Sequence, residues 1–333
     1  MMEQRRTNRT WPVAGHDWAV EILARSVVSG RVSHAYLFSG PPQIGKTTLA
    51  RAFAQAVNCT GEEPPCGVCL SCRRIASGIH PDVRIVQAEG ASIKIDQIRE
   101  LQREAALSPV EGRRRVYIIR QIELATTEAA NCLLKTLEEP SARVILILTT
   151  GDRDALLPTI VSRCQILNLH SLPVEQVHAV LVERGVDEEQ ARLLARLSTG
   201  RLGWAISAAN DPATLRRRQQ RLDEMIALSG QGRVERFAYA ASLSRKPDAV
   251  RQSLDLWLSW WRDLLLLTSG SVVEITNLDR QAELEGAAGR YSLDQAYNTI
   301  VALRRAVWQM EHNANPRLVL ENLMLHWPGT QSA

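Results

Sequence analysis

Residues 40–47, Gly-Pro-Pro-Gln-Ile-Gly-Lys-Thr, fit the phosphate-loop pattern of two glycines separated by four residues and followed by Lys and Thr. The glycines let the backbone wrap a phosphate, and the N–H groups opening the next helix supply partial positive charge. Lys46 would reach the β- and γ-phosphates, and Thr47 would ligate Mg2+. The candidate nucleotide-binding residues are Gly40, Pro41, Gln43, Gly45, Lys46, Thr47 and Thr48, with ATP or ADP and Mg2+ as the ligand. A second group, Cys59-x6-Cys66-x2-Cys69-x2-Cys72, follows the loop's helix, with Gly61, Pro64, Pro65 and Gly67 marking a tight turn. Four thiolates at short spacing suit tetrahedral Zn2+, and a closed set leaves no open position for catalysis, so the expected role is structural. An iron–sulfur cluster takes the same ligands, and free structural cysteines are the plain alternative. Cys132 and Cys164 stand apart.

A nucleotide-hydrolysing site also needs an acid at a neighbouring strand end to hold Mg2+, and usually a second to orient water. The strand that should carry them is 116–119 (VYII), and the next residues are Arg120 and Gln121. Arg120 would set positive charge beside the metal, and Gln121 is a poor base. Glu123 lies two residues further on. The chain is therefore expected to hydrolyse nucleotide poorly or not at all.

These residues need a parallel sheet to position them. Residues 35–39 (AYLFS), 83–86, 116–119 and 144–148 (VILIL) read as short buried strands, with helical stretches between them. Alternating strands and helices predict an α/β core covered on both faces. After residue 169 the strand signal stops. Short helices are expected at 172–183, 188–197 and 202–209, with Gly185 and Gly200 as stops. Asp211 and Pro212 form a helix start, and longer helices follow at 212–229, 232–244, 247–268 and 292–313. Within 93–103, Ile and Leu share one face while Lys94, Arg99 and Arg103 face outward, with a cap expected near Asp96.

The 333 residues, 45% hydrophobic and 23% charged, exclude wholesale disorder, and a net charge of +4 argues against a strongly basic chromatin-type protein. The most apolar run, 254–267, is broken by Asp255, Ser259, Arg262 and Asp263, short of the roughly 20 residues a membrane span needs. Residues 1–10 are polar and Arg-rich, without the apolar segment of a secretory signal. The expected location is the cytoplasm, where clustered cysteines argue for metal over disulfides.

Several segments together resemble one family. They are His34-Ala-Tyr-Leu-Phe-Ser-Gly40 leading into the loop, the cysteine insertion, 131–140 (NCLLKTLEEP) and Ser162-Arg163-Cys164. Over essentially its whole length the chain resembles the bacterial clamp-loader branch of AAA+ proteins. The resemblance implies a P-loop (RecA-like) α/β core at 1–169 with a zinc module at 59–72, an all-α lid at 170–210 and an all-α collar at 211–333 that joins five subunits in a ring. It implies gamma/tau motor subunits and a delta subunit as partners, with the sliding clamp and primer-template DNA beyond them, at the nucleoid-associated replisome.

Within that branch the chain is more similar to the stator subunit than to the motor. Arg120 and Gln121 replace the motor's acids, and Gly203 in 200–205 (GRLGWA) sits where the motor has its sensor 2 Arg. His80-Pro-Asp-Val83 and the tail 313–322 (NANPRLVLEN) also match the stator pattern. Thr149-Thr150 resembles sensor 1. The resemblance makes Arg163 an arginine finger acting in trans on a neighbour's γ-phosphate, although a lone Arg by itself reads as a surface ion pair. It also places Lys94, Arg99 and Arg103 toward the DNA chamber. The basic clusters 113–115 and 216–218 with Arg221 read as solvated faces before DNA contacts. Trp257, Trp260 and Trp261 share a helix face, either for packing or for a partner. Two other readings stand beside the stator: a motor-type ATPase using Glu123, and an independent DNA-binding AAA+ protein.

Overall fold

The computed structural model describes residues 11–312 and 314–329. The polar segment 1–10 and Asn313 of the tail motif lie outside the described residues. The chain divides into two compact units, Met1–Gln176 with Arg201–Gly203, and Val177–Gly200 with Trp204–Ala333.

The first unit begins with α1 (Asp17–Val28), β1 (Ala35–Ser39), α2 (Lys46–Asn58) and α3 (Leu70–Ala76). It continues through β2 (Val83–Val86), α4 (Ile95–Ala105), β3 (Arg115–Ile119) and α5 (Thr127–Glu138). It closes with β4 (Val144–Thr150), the single turn α6 (Pro158–Val161) and β5 (Gln165–Asn168). The strands form one parallel sheet in the order β2-β3-β4-β1-β5. Alternate residues of the strands feed two cores. Tyr36, Phe38, Ile118 and Ile147 pack with Leu23, Leu49 and Phe53 on one face. Leu37, Tyr117, Ile119 and Leu148 pack with Ile98, Leu101 and Leu133 on the other. Burial on both faces is why these strands read as unbroken apolar runs.

The second unit contains no strand among its described residues. It holds most of α7 (Val174–Glu183) and of α9 (Leu202–Asn210), whose first residues belong to the first unit, with α8 (Glu188–Leu197), α10 (Pro212–Leu228), α11 (Arg233–Leu243) and α12 (Pro247–Thr268). The last three helices are α13 (Gln281–Ala288), α14 (Leu293–Glu311) and α15 (Pro316–Leu325). Asp211 caps α10 by accepting the Ala213 N–H at 2.9 Å, with Pro212 in the first turn as its sequence implies. Trp257, Trp260 and Trp261 are buried in the second-unit core. Trp257 and Trp261 meet Trp327 edge-on at 5.3 and 5.9 Å. Those rings are therefore packing residues. No helix among the described residues is long and apolar enough to cross a membrane.

Three expectations need correction. The fifth strand, β5, was not expected, because four residues with one buried side chain give almost no apolar signal. The cap expected near Asp96 falls two residues earlier, at Lys94, whose N–H is donated to Gln97 Oε1 at 3.0 Å. Each basic cluster also loses one member to the interior. Arg115 is buried against Asp82 at 3.5 Å, and Arg218 is buried against Asp279 at 2.6 Å and against Asn277 Oδ1.

Two buried aspartates organise loops. Asp82 accepts N–H bonds from Val110, Glu111 and Gly112 at 2.7–2.9 Å, fixing the loop that enters β3. Burial would push this carboxyl up, but those three donors and Arg115 overcome it and hold the carboxyl below the usual range. A depressed carboxyl adds stability above its unfolded pKa of about 4, and that stability is lost as pH falls through the lower folded value. Asp263, fully buried on α12, accepts from the Thr276 and Asn277 backbone N–H groups and from Asn277 Nδ2 at 2.7–2.8 Å. Asp263→Ala leaves the Thr276 and Asn277 backbone N–H groups without this partner, and each such group costs about 1–3 kcal/mol. The variant should unfold at markedly lower urea, followed by tryptophan fluorescence. An unchanged midpoint would show that the 271–277 segment does not depend on this carboxylate.

Candidate functional site

The phosphate loop connects β1 to α2. Gly40 (φ 149) and Gly45 (φ 109) take backbone conformations that side chains disfavour, and Gly45 caps α2. Gln43 also adopts a left-handed conformation, φ 60. His16 Nε2 donates to the Ile44 carbonyl at 3.0 Å and braces the loop. Burial lowers the pKa of His16, favouring the neutral ring, against the raising effect of that same bond. Lys46 Nζ folds back onto the loop's own carbonyls, donating to Gly40 and, at 2.8 Å, to Pro41. Burial brings the Lys46 ammonium down to about 8, partly offset by the negative charge of Glu123.

The segment Arg201–Gly203 packs with this first unit. Gly203 N–H donates to the Gln43 carbonyl at 2.8 Å. A Cβ at 203 would lie 2.6 Å from that carbonyl oxygen, so the position accepts no side chain in this arrangement.

Arg120 and Gln121 follow β3 directly. Arg120 does not crowd the loop as expected. Its guanidinium bonds Gln87 Oε1 at 3.1 Å, beyond the end of β2. Gln121 N–H donates to Thr149 Oγ1 at 3.2 Å, so the sensor-like threonine holds a turn. Thr150 Oγ1 is likewise engaged, with the Asp152 carbonyl at 2.6 Å.

The four cysteines converge. The Sγ atoms of Cys59, Cys66, Cys69 and Cys72 all lie within 4.8 Å of one another. A tetrahedral ion with Zn–S bonds of about 2.3 Å sets its sulfurs about 3.8 Å apart, so the cluster fits one. Backbone N–H groups of Gly61 and Cys66 point at Cys59 Sγ, that of Cys69 at Cys66 Sγ and that of Cys72 at Cys69 Sγ, all at 3.3–3.4 Å. Such donors favour thiolates. At Cys69 burial acts the other way, yet bonds from Thr60 and Cys72 bring the thiol down to about 6. Burial pushes Cys59 and Cys72 up, and a cation would reverse that. His80 joins this module to the sheet: its Nε2 meets Ser71 Oγ at 2.9 Å, and its Nδ1 accepts the Asp82 N–H at 3.1 Å.

Arg163 sits on the turn between α6 and β5. Its Nη2 pairs with Glu138 Oε1 at 2.8 Å, and its Nη1 donates to the Thr159 carbonyl at 3.0 Å. Both partners of the ion pair are substantially exposed, 35% and 51%. Lys94, Arg99 and Arg103 are exposed along α4. The structure thus assembles the loop and the cysteines, and it leaves Arg163 and the α4 cations as separate surface groups. Glu123 was read only as the acid of the motor alternative, two residues past Gln121, and His16 and Glu138 were not read as site residues. Of those two, Glu138 carried a signal, since it lies in the 131–140 motif.

The family model described as DNA polymerase III, delta subunit, matches residues 15–173, and the model for the C-terminal part of the delta subunit matches 212–329. The DNA polymerase III subunit delta' of Bacillus subtilis is 32% identical over 310 residues, covering 92% of this chain and 94% of that protein. The chain belongs to the delta-prime family of DNA polymerase III clamp-loader subunits. The tau subunit of Salmonella typhimurium is 37% identical over 251 residues, covering 73% of this chain and 37% of tau. A gamma-subunit-related protein of Thermotoga maritima aligns with a TM-score of 0.47 at 18% identity, covering 92% of this chain and 98% of that one. The delta-prime family places the loop, the cysteines and Arg163 in a replication protein.

Phosphate binding by Lys46 requires its charged form, and a bound phosphate would raise its pKa above the free value of about 8. Affinity for ATP is therefore expected to hold below pH 8 and to fall as pH rises beyond it, in a fluorescent-nucleotide titration. A flat profile up to pH 10 would remove Lys46 from the phosphate-binding role.

Proposed function

We propose that this chain is the stator of a DNA polymerase III clamp loader. It assembles with gamma/tau and delta subunits to load the sliding clamp on primer-template DNA. It contributes Arg163 in trans to a neighbour's ATP site and hydrolyses little or no ATP itself. The observation that carries this reading is the β3 end, where Arg120 and Gln121 stand in place of the acids that hydrolysis needs. A guanidinium inserted beside a γ-phosphate accelerates phosphoryl transfer by about 10³–10⁵ in other systems. Arg163 is suited to this because its exposed pair with Glu138 is worth about 0–1 kcal/mol and breaks easily. In a reconstituted loader, Arg163→Ala should lower DNA-stimulated ATPase and clamp loading, while Glu138→Ala leaves both largely intact. Normal loading by Arg163→Ala would sink the finger.

The four cysteines are proposed to hold a structural zinc ion, which would lock the excursion between α2 and β2. Metal analysis of the purified chain should find about one zinc per chain. Cys72→Ser should lose it and expose the module to protease. An iron–sulfur cluster would show instead as visible absorption and bound iron. Lys94, Arg99 and Arg103 are the proposed DNA contacts, and their loss should weaken loading most at low salt and flatten its salt dependence.

In the second unit, Leu293, Tyr297, Val301 and Trp308 lie exposed along one stripe of α14, the stripe proposed to meet neighbouring subunits. Tyr297→Asp with Val301→Asp should abolish co-elution with gamma/tau and delta while helicity stays unchanged. Retained assembly would move the interface elsewhere. The motor reading keeps one specific support, the position of Glu123 beside the loop. Turnover by the isolated chain that Lys46→Ala abolishes would establish it in place of the stator.

A further inference from the structure

The turn after β3 returns a carboxylate to the phosphate loop. Gln121 adopts a left-handed conformation, φ 50, and the chain then makes a single tight turn at Ile122–Leu124. Glu123 Oε1 accepts the Gly151 N–H at 2.8 Å. At the other end of that same peptide unit, the Thr150 carbonyl accepts the N–H of Gly40, the first loop glycine, at 3.2 Å. One peptide therefore bridges the phosphate loop and the Glu123 carboxylate. The second oxygen, Oε2, is buried and has no hydrogen-bond partner. A buried carboxylate oxygen left in this way is costly and needs a reason. Lys46 does not supply the missing donor, since it is turned onto Gly40 and Pro41.

We propose that Glu123 is the cation-side carboxylate of the nucleotide pocket, its Oε2 accepting from a water on nucleotide-bound Mg2+. The proposal rests on the phosphate loop being a nucleotide pocket and is independent of the stator role. Mg2+ keeps several of its waters and is held through one or two carboxylates together with the substrate phosphates, so a single acid suffices for binding. Hydrolysis usually takes a second acid to orient water, and residues 120 and 121 carry no carboxylate. The same geometry therefore supports nucleotide retention without efficient turnover. In the absence of the cation, Glu123 repels the phosphates, so the signature is the dependence of affinity on Mg2+.

The test uses the full chain with its metal retained and compares calorimetric binding of ATP in Mg2+ and in EDTA. Glu123→Gln keeps an oxygen for Gly151 and removes the charge. It should lose about 10–100-fold of the Mg2+-supported affinity, the usual effect of deleting a partner around a metal. It should bind ATP in EDTA at least as well as the parent. An unchanged Mg2+ dependence in this variant overturns the role of Glu123 and leaves the pocket standing. An equal loss in Mg2+ and in EDTA likewise overturns it, since that marks a general structural defect. No ATP binding by the parent in Mg2+ removes the pocket reading itself. If the Gln variant does not fold, Glu123→Asp retains the charge one methylene further back and should show a reduced Mg2+ gain. An undiminished gain there also overturns the proposal.

Discussion

The phosphate loop and the Glu123 turn of the first unit hang from the C-terminal ends of parallel strands buried on both faces. The burial is the constraint, and the loops are its consequence. With Tyr36 and Phe38 packed on one side and Leu37 on the other, β1 cannot slip by one residue without reversing its faces. Its last residue, Ser39, is thereby fixed, and Gly40 must turn at that point. Neighbouring β4 pairs with β1 residue by residue from Ala35↔Leu146 to Ser39↔Thr150. The two strands end together, which is what lets the Thr150 carbonyl receive the Gly40 N–H and hold the mouth of the loop.

Much of this was legible because buried parallel strands leave a strong mark. Four of the five strands read directly as short apolar runs, and the loop's residue types demanded a strand before it and a helix after it. β5 escaped because an edge strand of four residues with one buried side chain looks like any loop. The cysteines were legible as a group, since thiols at such spacing have few other uses. Glu123 was visible but misplaced in consequence. A strand-end acid is expected at the strand end, and only the left-handed Gln121 turn returns a residue four positions beyond Ile119 to β4. Nothing in residue type forecasts that backbone reversal, because Gln is not a residue that favours it.

Charge runs were the least readable feature. Residues 113–115 and 216–218 look alike on paper, as solvated arginine faces, and in each a single member turns inward. Arg115 satisfies Asp82, which in turn holds three backbone N–H groups of the entry to β3. Arg218 bridges Asn277 and Asp279, in the network that Asp263 completes. The carboxylates that fix them, Asp82 and Asp279, lie outside the runs, so the local run carries no trace of the role.

Exposure separates arginines that hold the fold from Arg163, whose ion pair is open to water. The pairs Arg115–Asp82 and Arg218–Asp279 expose at most 14% of any side chain. Removing one partner from such a pair strands a buried charge, which costs about 3–5 kcal/mol, so these arginines cannot leave. Arg163 and Glu138 are exposed by 35% and 51%, and water replaces either partner at almost no cost. A guanidinium that must reach a phosphate on another chain has to be held in this second way. A buried pair would fix its position too firmly, whereas an unpaired side chain would sample every rotamer before docking. The weak pair with Glu138 narrows that search without opposing the move. The same exposure that makes the contact negligible for stability is compatible with the trans role proposed for Arg163.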